Sequence, residues 1–133
     1  MNSNQKIILI TGGAWYIGSH AVVAFEEAWY KTVSIDNFSN STTDSLIGIS
    51  KILWYDPIFH ECDMNNENAL ENIFDQYSFD AVIHFASYKA IGESCKNPFL
   101  YYENNLWWSV VLFKKMEKFG VKHIIYSSSA SIY

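Results

Sequence analysis

The residues best suited to chemistry stand in the joints between apolar runs. Thr11-Gly12-Gly13-Ala14-Trp15-Tyr16-Ile17-Gly18 follows one such run and opens a helical pattern, and Gly12, position 15 and Gly18 have the spacing GxxGxxG. A turn of this kind offers main-chain amides at a helix N-terminus to a pyrophosphate. The first glycine permits the tight turn and the last lets helix pack closely on strand. The middle position should carry no side chain, so that the backbone can approach the anion. Trp15 occupies that middle position, and its indole is expected to project into the space a pyrophosphate needs. A glycine-rich turn without any ligand is the plainer alternative. Eighteen residues after Gly18, Asp36 ends the second apolar run, where a carboxylate can accept hydrogen bonds from a ribose and repel the extra phosphate of NADP. Taken alone, Asp36 could equally cap a helix or sit on the surface. Asp63, after the third run, could cap the next helix or meet an adenine.

The elements that must position these residues alternate from start to finish. Residues 6–11 form a continuous apolar run, as expected of a strand buried on both faces of a parallel sheet. Residues 17–28 have helical periodicity, residues 32–36 read as the second strand, and a polar stretch leads to a helix over about 44–53. A weaker third strand is predicted over 57–62 and a helix over 67–77. A β-branched fourth strand follows over 80–85, then a long helix from near Pro98 to Phe119 and a fifth strand over 122–127. Strand–helix alternation with short joints implies right-handed βαβ units, an α/β chain with a doubly wound parallel sheet in the order 3-2-1-4-5. The ligand crevice then lies beside strand 1.

Bulk properties narrow the function. A net charge of −5 argues against a general nucleic-acid or anionic-membrane surface, although backbone amides can still hold a phosphate. No apolar run is long enough to span a bilayer and the start lacks a signal-peptide pattern, so a cytoplasmic protein is expected. Cys62 and Cys95 have no metal or redox spacing and read as reduced thiols.

Longer motifs carry a resemblance. Thr-Gly-Gly-Ala-x-Tyr-Ile-Gly-Ser-His at 11–20 is similar to the start of extended short-chain dehydrogenase/reductases. The stretches 35–41 (Ile-Asp-Asn-Phe-Ser-Asn-Ser), 84–94 (His-Phe-Ala-Ser-Tyr-Lys-Ala-Ile-Gly-Glu-Ser), Tyr101-Tyr102-Glu103-Asn104-Asn105 and Ser127-Ser128-Ser129-Ala130 resemble the UDP-glucose 4-epimerase branch of that family. The resemblance spans essentially the whole chain and implies a Rossmann-type fold and an NAD cofactor. It assigns the pyrophosphate to Gly12, Gly18 and the amides around Trp15, Tyr16 and Ile17. Asp36, Asn37, Asn40 and Ser41 would surround the adenosine ribose, and Asp63 with Met64 the adenine. Phe85, Ala86 and Lys89 would line the middle of the cofactor and the nicotinamide ribose, and Asn104 would add a polar contact. Ser129 would support catalysis beside the sugar. The implied reaction is epimerisation at C4 of a UDP-hexose in galactose metabolism, through a transient 4-keto sugar, by a homodimer. By composition alone, Lys89 could be a solvated loop lysine, Asn104 a helix-surface residue and Ser129 a turn serine. Related dehydratases, decarboxylases or reductases, and a vestigial nucleotide-binding domain, are the alternatives.

The family's YxxxK pair is expected beyond residue 133, and Tyr30, Tyr88 and Tyr133 are poor substitutes for it. The chain therefore reads as an N-terminal, cofactor-binding fragment without its substrate lobe, inactive alone. Its five tryptophans are many for this length. Trp15 replaces the fingerprint's middle glycine, Trp29 and Trp54 follow helices where a C′ glycine is wanted, and Trp108 stands where the family commonly has glycine. Trp107 is the least diagnostic. Two explanations are open: real substitutions in a decayed or engineered copy, or one codon, UGA, which some bacterial codes read as glycine and others as tryptophan.

Overall fold

The computed structural model describes residues 4–87 and 95–128. Five parallel strands lie in the order β3-β2-β1-β4-β5, as the βαβ rule predicts. They are β1 (Ile7–Thr11), β2 (Lys31–Asp36), β3 (Ile58–Glu61), β4 (Ala81–His84) and β5 (Ile124–Tyr126). The register pairs Thr11 with Ile35 on one side and with His84 on the other, so the C-terminal ends of the three central strands are level.

Alternation along β1 divides the core. Leu9 packs with Val33, Ile35 and Val82 under α3 (Glu67–Gln76) and the long C-terminal helix. Ile8 and Ile10 face the other way, onto Val22 of α1 (Tyr16–Glu27) and Ile49 of α2 (Asp44–Leu53). A strand buried on both faces needs apolar residues at consecutive positions, which is why β1 reads as an unbroken run. Each such side chain contributes about 1.5–3 kcal/mol of transfer free energy. Asn66 caps α3, its Oδ1 accepting from the Ala69 N–H at 3.1 Å.

Residues 98–118 follow a helical path in three stretches, not as one regular helix. They are α4 (Pro98–Tyr101), a π-helical turn (Tyr102–Leu106) and α5 (Trp107–Lys118). Apolar periodicity marks these residues as helical without fixing whether an N–H reaches four or five residues back. Within the turn the Asn104 side-chain amide donates to the Leu100 carbonyl, 2.9 Å away and four residues earlier. On α5, Lys115 pairs with Glu71 of α3 at 2.6 Å and Lys118 pairs with the other oxygen of the same carboxylate.

Three helices end with a residue in the left-handed region. After α1, Trp29 has φ 67°. Its N–H donates to the Glu26 carbonyl at 3.1 Å, and the Tyr30 N–H donates to the Phe25 carbonyl at 3.0 Å. These are the two bonds of a Schellman motif, accompanied by edge-on contact of Phe25 and Tyr30 at 5.4 Å. After α5 the same pair of bonds recurs around Gly120, φ 71°: Gly120 N–H to Glu117 at 3.3 Å and Val121 N–H to Met116 at 2.9 Å. After α2, Trp54 has φ 65° and donates to the Ser50 carbonyl at 2.9 Å.

Candidate functional site

The site is built where β1, β2 and β4 end. Gly12 leaves β1 at φ 74° and its N–H donates to the Ile35 carbonyl of β2 at 2.8 Å, followed by that of Gly13 at 3.1 Å. A Cβ on Gly12 would meet the Ala86 nitrogen at 2.9 Å, and one on Gly18 would meet the Gly12 carbonyl oxygen at 2.0 Å. The turn is thus pressed against β4 on one side and against its own helix on the other, and neither contact admits a side chain. Trp15 precedes α1 with extended backbone (φ −82°, ψ 168°) and no side-chain cap, and the first turn of the helix holds no acidic residue. Its N-terminus therefore presents the positive end of the helix without an acidic residue of its own first turn. Tyr16 and Ile17, both exposed, stand at this mouth.

Asp36 ties the two loops together. One carboxylate oxygen accepts from the Ala14 N–H at 3.0 Å, the other from the Phe38 N–H and the Ser41 hydroxyl at 2.9 Å each. A carboxylate has about four lone-pair positions, so these three bonds leave about one for a further donor. Ser45 adds a second tie, donating to the Ala14 carbonyl at 2.7 Å.

From Ala86 on the crevice lining, a polar chain runs through the buried Thr11, His84 and Ser109 to the exposed Tyr126. The Ala86 N–H donates to Thr11 Oγ1 at 3.2 Å, and the same hydroxyl shares a hydrogen bond with His84 Nδ1 at 2.7 Å. His84 Nε2 then faces Ser109 Oγ of α5 at 3.5 Å, and Ser109 is 3.0 Å from the Tyr126 hydroxyl of β5. The chain fixes the end of β4 relative to both neighbouring strands.

The crevice is lined by Gly12, Trp15, Ile35, Asp36, Asn37, Ser41, Cys62, Met64, Phe85, Ala86, Ser87 and Trp108. Eight of the residues expected from sequence are among them. Cys62 is also there, its thiol pushed up to about 11 by burial and by the neighbouring Asp63. Asp63 itself turns back on its own loop, accepting from the Asn65 N–H at 2.8 Å, and Asn40 is exposed. Asn104 lines a neighbouring groove with Asn65 and Trp107, its amide held by Leu100. Lys89 and Ser129 lie outside the described residues. Sequence reasoning missed Ser45, His84 and Ser109, whose partners are far away in the chain and leave no local signal. No group of metal-ligating side chains occurs among the described residues, and no described helix is long and apolar enough to cross a membrane.

The backbone of the crevice fits a dinucleotide, with a side-chain-free turn, a helix N-terminus and a fixed carboxylate. Its side chains leave little enclosed room. The cavity volume is ≈ 40 Å³, whereas sites for ligands of drug size span about 300–1,000 Å³. Trp15 and Trp108 stand on its wall.

A parallel sheet with its glycine turn and carboxylate at the switch between β1, β2 and β4 is the architecture of the doubly wound, dinucleotide-binding class. Within that class the chain belongs to the NAD dependent epimerase/dehydratase family, whose model matches residues 8–133. It is 45% identical over 131 residues to UDP-glucose 4-epimerase 2 of Arabidopsis thaliana, covering 96% of this chain and 37% of that protein. It is 45% identical over 126 residues to UDP-glucose 4-epimerase of Bacillus subtilis, covering 95% and 37%. The crystal structure of UDP-glucose 4-epimerase from Bifidobacterium longum in complex with NAD+ and UDP matches with a TM-score of 0.92 at 39% identity, over 96% of this chain and 38% of that one. The chain thus spans about 37% of the length of the curated relatives it matches.

Proposed function

We propose that this chain is the cofactor-binding half of an NAD-dependent enzyme that epimerises C4 of a UDP-hexose, interconverting UDP-glucose and UDP-galactose. The observation that carries the reading is the side-chain-free contact of Gly12 with Ala86 and of Gly18 with Gly12, beside a carboxylate fixed by three donors. Its support beyond the site is the similarity to relatives named for that reaction. The turn at Gly12 and Gly18, with the amides of residues 15–17, would hold the pyrophosphate. Asp36, Asn37, Asn40 and Ser41 would take the ribose, Asp63 and Met64 the adenine. Phe85, Ala86, Lys89 and Asn104 would line the remainder, with Ser129 beside the sugar. When bound, NAD supplies a reversible hydride acceptor. The work of these residues is to hold and orient it, with the buried Thr11–His84 pair keeping Ala86 in place.

The full-length protein is proposed to be a cytoplasmic homodimer. Exposed Phe99, Leu100, Tyr102 and Leu106 on the α4 path supply apolar surface for such an interface. The narrow cavity is the one observation that favours a vestigial, non-catalytic domain instead.

One experiment separates the readings. Full-length protein purified from its source organism is tested for NAD released on denaturation and for conversion of UDP-galactose to UDP-glucose. Release of NAD with interconversion of the two sugars is expected. Protein that carries no NAD and converts neither sugar would refute the proposal. Loss of water or carbon dioxide from the sugar would instead point to another branch of the family.

A further inference from the structure

Two residues that line a narrow crevice and two that end helices in the left-handed region have a common feature. We infer that positions 15, 29, 54, 107 and 108 are glycine in the protein its organism makes, encoded by UGA, and that the crevice is correspondingly open.

Two of these positions are argued from the backbone, without reference to any ligand. Among the described residues, three that are not glycine have a left-handed φ: Trp29, Phe38 and Trp54. Phe38 gains from its position, since its N–H is held by Asp36 and its half-buried ring packs on Phe59 at 5.4 Å. Trp29 and Trp54 gain nothing comparable, being 84% and 92% exposed. Each combines the largest side chain, left in water, with a conformation in which Cβ crowds the carbonyl oxygen. Trp29 also shares its two-bond helix ending with Gly120, so the fold itself shows which residue type this motif takes.

Two more are argued from space. Trp15 has an extended backbone open to any residue, so only its indole is at odds with the site. Trp108, 5% exposed on α5, lines the same crevice at the margin of the core that holds Val111 and Leu112. Glycine at both removes two indoles from the wall of a cavity of ≈ 40 Å³. Trp107 is carried by the codon alone: it sits in regular helix with its ring beside Lys114 Nζ at 5.4 Å. Independent substitutions would not select two left-handed helix ends and two residues lining one crevice. A single codon assignment does, because glycine relieves the backbone at the helix ends and clears side-chain volume at the crevice.

The inference at 15 and 108 rests on the dinucleotide reading, whereas that at 29 and 54 does not. The test therefore reads the residue, not the ligand. Protein purified from the source organism is digested with trypsin, and peptides 7–31, 52–89 and 97–114, which contain all five positions, are sequenced by tandem mass spectrometry. Glycine at all five positions, with UGA at the matching codons of the gene, is expected. Tryptophan at any of the five, or UGG at any of their codons, overturns the inference. Failure of NAD binding would leave this result unchanged, so the two proposals fail separately.

Discussion

Replacing Trp29 by glycine should stabilise the fold, and replacing it by alanine should not do so equally. A Cβ in the left-handed region costs about 1–2 kcal/mol. Glycine gives back part of that advantage, because its unfolded chain is more mobile, by about 0.4–1 kcal/mol relative to a residue with a side chain. The indole is 84% exposed, so its removal forfeits little burial in either variant. The expected difference is therefore W29G more stable than W29A by about 0.5–1 kcal/mol. Urea unfolding of the 133-residue chain, followed by far-ultraviolet circular dichroism, reads this as a shift in midpoint at constant slope. Gly120→Ala in the matching motif after α5 should move the midpoint the opposite way by a similar amount. Equal stability of W29G and W29A would refute the reasoning, since the gain would then come from losing the indole and not from relieving the backbone.

Three further outcomes are expected. Thr11→Val keeps the shape but removes the hydroxyl shared by His84 and Ala86, and should cost about 1–3 kcal/mol in urea unfolding. Thr11→Ser should recover most of that loss, and equal values for the two variants would contradict the polar chain. Hydrogen bonds from Lys115 and Lys118 lower Glu71 to about 2 from its usual value, so its contribution is complete above the unfolded value and lost as pH falls toward about 2. The unfolding midpoint should accordingly drop more between about pH 5 and about pH 2.5 in the parent than in Glu71→Gln. Iodoacetamide should label exposed Cys95 well before buried Cys62, whose rise from 9.0 to about 11 alone cuts its thiolate about 100-fold near neutral pH. Peptide mapping after timed quenching distinguishes the two sites.

Much of the framework was legible because it depends on local pattern. The unbroken apolar run of β1 announced burial on both faces, and strand–helix alternation gave the sheet order through chain chirality. Trp29 and Trp54 could be placed at left-handed helix ends because the apolar periodicity stops immediately before them. The π-helical turn at Tyr102–Leu106 was not legible, since the same side-chain pattern suits either hydrogen-bond register. Nor was the Thr11–His84–Ser109–Tyr126 chain, whose members come from four elements and meet only after the sheet assembles. The part played by Trp108 as a crevice wall depends on the rotation of α5 about its axis, which the sequence leaves open. For Asn104 the sequence shows the residue type but not its tie to the Leu100 carbonyl, which depends on the π-helical turn.

The three bonds to Asp36 also bear on the energetics of an arriving ligand. They join the turn after β1 to the loop after β2 before anything is bound, so the ordering entropy of these two segments is met during folding. Binding at this end of the crevice should then leave the amide exchange of Ala14 and Phe38 almost unchanged. A site of that kind behaves as a rigid receptor whose selectivity is set by shape, and any slow step in capture must arise elsewhere in the full-length protein.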